Sequence, residues 1–273
     1  MRKPLAIDLF AGLGGWTEGL LAEGFDVIGF DIERHEYGDH RYPAQLVVQD
    51  VLTLHGSQFR SADLIVASPP CQEYSYMAMP WTKAKTKAAA IRADRTGAKL
   101  ADLNRLFDAC FRIQREACEA AGRHIPLLVE NVRGAQPWVG RARWNFGSFY
   151  LWGDVPALMP ATIRAGKVNG FRFDGSGRSF QTASVEATGR KSCGMDWSDP
   201  TKRGQDFTRI AGEQAISAAG LKCGGDWFGP GVKSAMRNHS SKSPRRKFAS
   251  AMIAKIPLAL SRHIAATHRP EAG

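Results

Sequence analysis

The chain has 273 residues, 44% hydrophobic and 23% charged, enough for one sizeable α/β domain with a smaller lobe and too few for two large domains. No run approaches the ~18 uninterrupted apolar residues of a membrane helix, and no apolar signal core opens the sequence; a cytoplasmic protein without membrane contact is expected. Lys and Arg number 37 against 26 Asp and Glu, and the net charge of +11 favours a polyanionic partner such as nucleic acid.

In chain order, Pro4 to Ala11 is an apolar run that ends in Gly12-Leu13-Gly14-Gly15, which predicts a strand, a tight turn and a helix through Leu20 and Leu21. Phe25–Phe30, ending at Asp31, predicts a second strand, Gln45–Val48, ending at Asp50, a third, and Leu64–Ala67 a fourth that Ser68-Pro69-Pro70-Cys71 stops. Residues 73–99 are rich in Lys and Arg with little apolar periodicity, and a mobile loop is expected there. Leu100, Leu103, Phe107, Cys110 and Phe111 recur at helical spacing, predicting a helix that continues to Ala121; Pro126–Val129 predicts a fifth strand, ending at Glu130-Asn131.

After about Pro156 the texture changes to Gly, Ser, Lys and Arg, with Trp197 and Trp227 among basic residues. Order returns near Arg246, where Phe248, Met252, Ile256, Leu260 and Ile264 mark one helix face that Pro257 should kink or break. The expected organisation is a catalytic and cofactor-binding domain at 1–156, a small basic target-recognition lobe at 157–243 and a C-terminal helix at 244–273 returning to the first domain. Strands alternating with helices imply a mostly parallel sheet with helices on both faces.

Ligands of open parallel sheets bind beyond the carboxyl ends of the strands, and here those ends carry Phe10-Ala11-Gly12, Asp31, Asp50, Pro70-Cys71 and Glu130. The glycine turn lets backbone approach a ligand, and Asp31 suits the hydroxyls of a ribose. A nicotinamide dinucleotide would want glycine at position 17, where Thr17 stands, so adenosine without a pyrophosphate fits better. For any one acidic strand end the plain alternative is a turn or helix cap. The five cysteines (Cys71, Cys110, Cys118, Cys193, Cys223) contain no Cys-x-x-Cys pair, so neither a disulfide framework nor a metal site is expected. Cys110 and Cys118 read as core residues, whereas Cys71 follows a Pro-Pro turn in the same sheet as the acid Glu130, and a buried acid beside a thiol points to chemistry.

With these blocks in view, the chain resembles the DNA cytosine-5 methyltransferases, compact phage or bacterial members above all. The resemblance rests on Asp8-Leu-Phe-Ala-Gly-Leu-Gly-Gly15, Pro69-Pro-Cys-Gln72 and Glu130-Asn-Val132 in the family's order and spacing. It implies a Rossmann-like S-adenosylmethionine-dependent methyltransferase fold and methylation of carbon 5 of cytosine in double-stranded DNA by a monomer, after base flipping. It further implies Cys71 as the nucleophile that adds to carbon 6 and Glu130 as the group facing N3 and the amino group. Arg141 and Arg143 stand as the Arg-x-Arg pair near the target base, though Trp144–Gly153 departs from the family's wording. On the cofactor side it implies Phe10, Gly12, Gly14, Asp31, Asp50 and Val51, together with Asp8, Gly15 and Pro70. The family's last motif carries Gly-Asn before an apolar-Pro pair, and Met252-Ile-Ala-Lys-Ile-Pro257 lacks that Asn. Residues 73–99 and the basic lobe are expected to grip phosphate, with Trp81, Trp197 or Trp227 stacking. The competing readings are the same chemistry on tRNA, an inactive DNA-binding relative and a nicotinamide-dependent oxidoreductase.

Overall fold

The structure, a computed structural model, describes residues 2–75, 81–159 and 243–270. Packing divides the chain into one unit of residues 1–161 with 250–273 and another of residues 162–249. The basic segment expected at 157–243, with Trp197 and Trp227, lies outside the described residues except for 157–159 and Ser243, and so does the side chain of Trp81.

A single sheet organises the first unit. Its strands are β1 (Leu5–Leu9), β2 (Asp26–Asp31), β3 (Gln45–Val48), β4 (Leu64–Ala67), β5 (Leu127–Asn131), β6 (Trp144–Phe146) and β7 (Phe149–Gly153), in the order β3-β2-β1-β4-β5-β7-β6. Strands β1 to β5 pair in parallel, while β7 runs antiparallel to both β5 and β6. Every residue of β4 and β5 is buried, as expected of central strands covered on both faces, which read as unbroken apolar runs instead of alternating ones. The fold is the Rossmann-like α/β class.

Among the described residues the helices are α1 (Gly15–Ala22), α2 (Trp81–Ala93), α3 (Ala98–Ala121), the short α4 (Gln136–Val139), α5 (Pro244–Ala254) and α6 (Leu258–His268). On one face α3 supplies Phe107, Cys110, Ile113 and Ala117 to a core that also holds Ile7, Leu9, Ile65, Ala67, Leu127 and Val129 from the strands. The intervening strand residues point to the opposite face, where α1 bonds to Asp8 through Thr17 and packs against α6. The rupture expected at Pro257 is present: α5 ends at Ala254 and Pro257 caps α6.

Two expectations are corrected. Residues 73–99 are not all loop, because Trp81–Ala93 forms α2. Its Ala, Lys and Arg are strong helix formers, and Ala84 and Ile91, seven apart, are both buried. The apolar stripe is made of small side chains, so periodicity judged by large ones passes over it. The sheet also has two strands beyond the five expected. In Trp144-Asn-Phe-Gly-Ser-Phe-Tyr-Leu-Trp the Gly147-Ser148 pair turns a hairpin, with Gly147 at a φ of 58°.

Two small-residue contacts seat the C-terminal segment on the glycine turn. A Cβ on Gly15 would overlap the backbone of Ile256, and one on Gly19 would overlap Ser261 and the backbone of Arg262. Ion pairs Lys255–Glu18 (2.5 Å) and Arg262–Glu23 (2.7 Å) flank the contact. Because backbone cannot step aside as a flexible side chain can, Gly15→Ala is expected to destabilise the fold by roughly 1–3 kcal/mol, read from urea midpoints. An unchanged midpoint would show that the segment around Ile256 is not held against α1.

Candidate active site

The sheet reverses its winding between β1 and β4, since β2 and β3 lie on one side of β1 and the later strands on the other. At such a switch point the loops leaving the two central strands diverge and open a crevice. Here the loops are the glycine turn after β1 and Ser68-Pro69-Pro70-Cys71 after β4. The indole N–H of Trp16, in α1, donates to the Ser68 hydroxyl at 3.0 Å and bridges them.

The glycine turn is strained and held from two sides. Phe10 has a φ of 59°, the only positive value for a non-glycine among the described residues, and Gly12 and Gly14 follow at 52° and 75°. A bulky side chain in the left-handed region is a steric outlier that survives only where its surroundings enforce it. Enforcement comes from β2: the Ala11 amide donates to the Phe30 carbonyl at 3.0 Å, and the Gly12 amide to Asp31 Oδ2 at 2.8 Å. The Glu33 amide donates to Asp31 Oδ1 at 3.2 Å, and His35 lies 3.7 Å from that oxygen. Partial burial opposes ionisation of Asp31, but the bonds from His35, Gly12 and Glu33 outweigh it and keep the carboxyl below its usual range, charged at neutral pH.

The three glycines differ in what they face. A Cβ on Gly12 would meet nothing nearer than the Phe10 carbonyl at 4.0 Å, so its open side is available to a ligand. Gly14 is filled by Pro43 and Tyr42, and Gly15 by Ile256. At Gly14 and Gly15 the side a Cβ would occupy is thus taken up by packing within the chain. The Val51 side chain is buried in the core with Leu54 and Phe59. Asp50 takes the cap role that was its alternative, Oδ1 accepting from the Leu52 amide at 2.9 Å. Two exposed apolar side chains beside these acids escaped the sequence reading: Ile32, 70% exposed, directly after Asp31, and Val48, 51% exposed, at the end of β3. An apolar residue abutting an acidic strand end is the signal that could have found Ile32. Charged Asp31, open Gly12 and Ile32 together fit an adenosine, offering an acceptor for ribose hydroxyls and an apolar surface for a base.

Asp8 lies beneath the turn instead of on it, 1% exposed. The Thr17 hydroxyl donates to its Oδ2 at 2.6 Å, while Tyr42 contacts both Thr17 at 2.6 Å and Asp8 at 3.4 Å. Oδ1 is buried without a hydrogen-bond partner. Burial pushes this carboxyl up to about 7, against the bonds from Thr17 and Tyr42 that favour its charge. The folded state thus prefers the neutral acid. Its stabilising contribution is complete below the ordinary value of 3.8 and is lost as pH rises toward 7. Asp8→Asn, neutral throughout, is expected to flatten that part of the stability profile. Parallel wild-type and variant urea midpoints between pH 4 and 7 would refute the assignment.

Cys71 and Glu130 come from adjoining strands. Ala67 is level with Val129, so Glu130 lies one residue, and Cys71 four, beyond that pair on strands about 4.8 Å apart. The Asn131 side-chain amide donates to the Pro69 carbonyl at 2.9 Å, tying the end of β5 directly to the Pro-Pro-Cys turn. Cys71 is half-buried and Glu130 is 9% exposed. Pro70 is exposed at the rim. Beyond the turn, Glu73 pairs with Lys87 of α2, and a cleft of about 480 Å³ opens between the turn, α2 and α3, lined by Pro69, Tyr74, Lys99, Leu103 and Phe107.

Arg141 and Arg143 lie just before β6. Trp144 is level with Leu151, which is level with Glu130, so both arginines precede that level, toward the amino ends of the parallel strands and two strands away. Among the described residues no group of His, Cys, Asp and Glu could hold a metal, and no helix is long and apolar enough to cross a membrane.

Comparison with known proteins points the same way over part of the chain. Residues 5–89 match the family described as C-5 cytosine-specific DNA methylase. The Type II methyltransferase M.XorII of Xanthomonas oryzae pv. oryzae is 30% identical over 87 residues, 28% of this chain and 20% of the relative, so the chain spans about a fifth of that protein. A solved structure described as a DNA modification methyltransferase encoded within an E. coli prophage is 25% identical over 49% of this chain and 33% of that one, at a TM-score of 0.32. The S. pombe Dnmt2 methyltransferase covers 97% of this chain and 98% of its own, with 13% identity and a TM-score of 0.42. At these scores the structural likenesses carry no weight here, and the fold rests on the strand order.

Proposed function

We propose, from the match of residues 5–89 to the C-5 cytosine-specific DNA methylase family, that the chain methylates carbon 5 of cytosine in double-stranded DNA with S-adenosylmethionine. The observation that carries the reading is the pairing of Cys71 and Glu130 at adjoining strand ends, cross-tied by Asn131 to Pro69.

Carbon 5 of cytosine is a weak nucleophile in an electron-poor ring. The Cys71 thiolate adds to carbon 6 and places an electron pair in the ring, which makes carbon 5 enamine-like. Glu130, facing N3, delivers a proton there and takes up the charge that would otherwise build on the ring. S-adenosylmethionine, which Gly12, Asp31 and Ile32 would hold by its adenosine, would supply an electrophilic sulfonium methyl for carbon 5 and would leave as the thioether. Loss of the carbon-5 proton to water then expels the Cys71 sulfur, and return of the N3 proton to Glu130 restores aromaticity and the resting acid. Both faces of a stacked base are blocked, so the cytosine must leave the duplex to reach this crevice. Phosphate contacts from the net charge of +11 support the DNA side of the proposal. In our reading Arg141 and Arg143 stand outside the chemical centre. The match to M.XorII supports, at the level of a proposal, a modification enzyme of the type II restriction-modification kind.

The test supplies purified chain with cofactor carrying a labelled methyl and, separately, duplex DNA or tRNA, followed by bisulfite sequencing of the DNA. Label in DNA with protection of cytosines in a defined sequence context is expected. Label confined to tRNA, or none in either, would overturn the DNA assignment.

A further inference from the structure

Resting on that reading, we infer that Tyr74 and Asn104 are positioning residues for the Cys71 sulfur. The turn that presents the thiol is closed on the nucleophile's own carbonyl, which accepts from the Tyr74 amide at 3.0 Å and the Ser75 amide at 2.9 Å. Prolines at 69 and 70 bring no amide donors, so the segment just before Cys71 cannot be held by backbone N–H groups of its own. It is fastened from outside instead. On the upstream side Asn131 grips the Pro69 carbonyl. On the downstream side the Tyr74 ring is buried against the α3 core, and its hydroxyl donates to Asn104 Oδ1 at 3.0 Å, with the Leu103 carbonyl at 3.2 Å.

Asn104 is itself buried and donates through its side-chain amide to the Trp138 carbonyl of α4 at 2.9 Å. α4 belongs to the chain that follows Glu130-Asn131-Val132. The two reactive loops are therefore braced twice, by Asn131 to Pro69 and by the relay from Tyr74 through Asn104 to Trp138. A core tyrosine needs one acceptor to be satisfied, but this relay joins the turn holding the nucleophile to the segment that follows the acid. Each link removes a direction in which Cys71 could drift from Glu130, and displacement of a reacting atom by about 1 Å can cost on the order of 100-fold in rate.

The test compares wild type, Tyr74→Phe, Asn104→Ala and the double variant in the full chain, each first checked for its thermal midpoint. Each single variant is expected to lower kcat by about 10- to 100-fold with KM for cofactor and duplex DNA changed by less than about threefold, and the double variant to fall no further than the worse single one. A second readout needs no turnover: iodoacetamide alkylation of Cys71, followed across pH by mass mapping of its peptide, should change in rate in both single variants. Lowered midpoints with kcat and the alkylation profile unaltered would overturn the inference and leave a merely structural core pair. Should Asn104→Ala not fold, Tyr74→Phe decides alone, since it removes only one oxygen. Failure of the wild type to methylate cytosine would count against the proposed function, whereas the alkylation profile would still judge the relay.

Discussion

Replacing Cys71 by serine is expected to abolish methyl transfer, lowering kcat by about 10⁴-fold or more, while folding and cofactor affinity stay near wild type. The alcohol is almost never ionised near neutral pH, whereas a thiol with an ordinary value of about 8.5 is partly thiolate there and strongly nucleophilic. Structure should be spared because the turn is held by the Cys71 carbonyl and by its neighbours, none of which the exchange of sulfur for oxygen removes. The measurements are methyl transfer from labelled cofactor, the thermal midpoint and the calorimetric affinity for adenosylhomocysteine. Turnover within tenfold of wild type would remove Cys71 from the chemistry.

Glu130→Gln is expected to cost less, about 10²- to 10³-fold in kcat, the range associated with losing one positioned proton donor. The side chains are nearly equal in size, and the β5 backbone keeps its pairing with Leu151 in β7, so the pocket should retain its shape. What is lost is a transferable proton, and with it one limb of the pH dependence of kcat. Wild-type turnover with an unaltered pH profile in the variant would show that Glu130 does not protonate the base. Taken together, the two variants separate attack from proton delivery. Intermediate loss at 130 with complete loss at 71 is the pattern of a nucleophile assisted by an acid.

The central strands were legible in the sequence because burial on both faces leaves them uninterrupted. Leu64–Ala67 begins and ends where its apolar run does. The placement of Cys71 and Glu130 after adjoining strands was legible for a related reason, since the carboxyl ends of parallel strands share one edge of the sheet. The hairpin at Trp144–Gly153 was not, because its signal is one Gly-Ser turn within a run of aromatics. The level of Arg141 and Arg143 relative to Glu130 depends on the register of these two strands, which the sequence did not announce. Tyr74 was passed over inside a segment taken for loop, and nothing local marks its partner Asn104, thirty residues on. Such pairings depend on which helix the sheet recruits as cover.

The glycine turn divides its labour among residues that look interchangeable in one dimension. Position 12 faces open space, whereas 14 and 15 are spoken for by Pro43 and Ile256 of the same polypeptide. Natural variation at these sites should then obey two different filters. A side chain arriving at 12 would meet the strain of a φ of 52° and crowd the crevice, while one arriving at 14 or 15 would collide with the polypeptide itself. A motif that scans as a single signature is, in three dimensions, one open position beside two that the polypeptide itself fills.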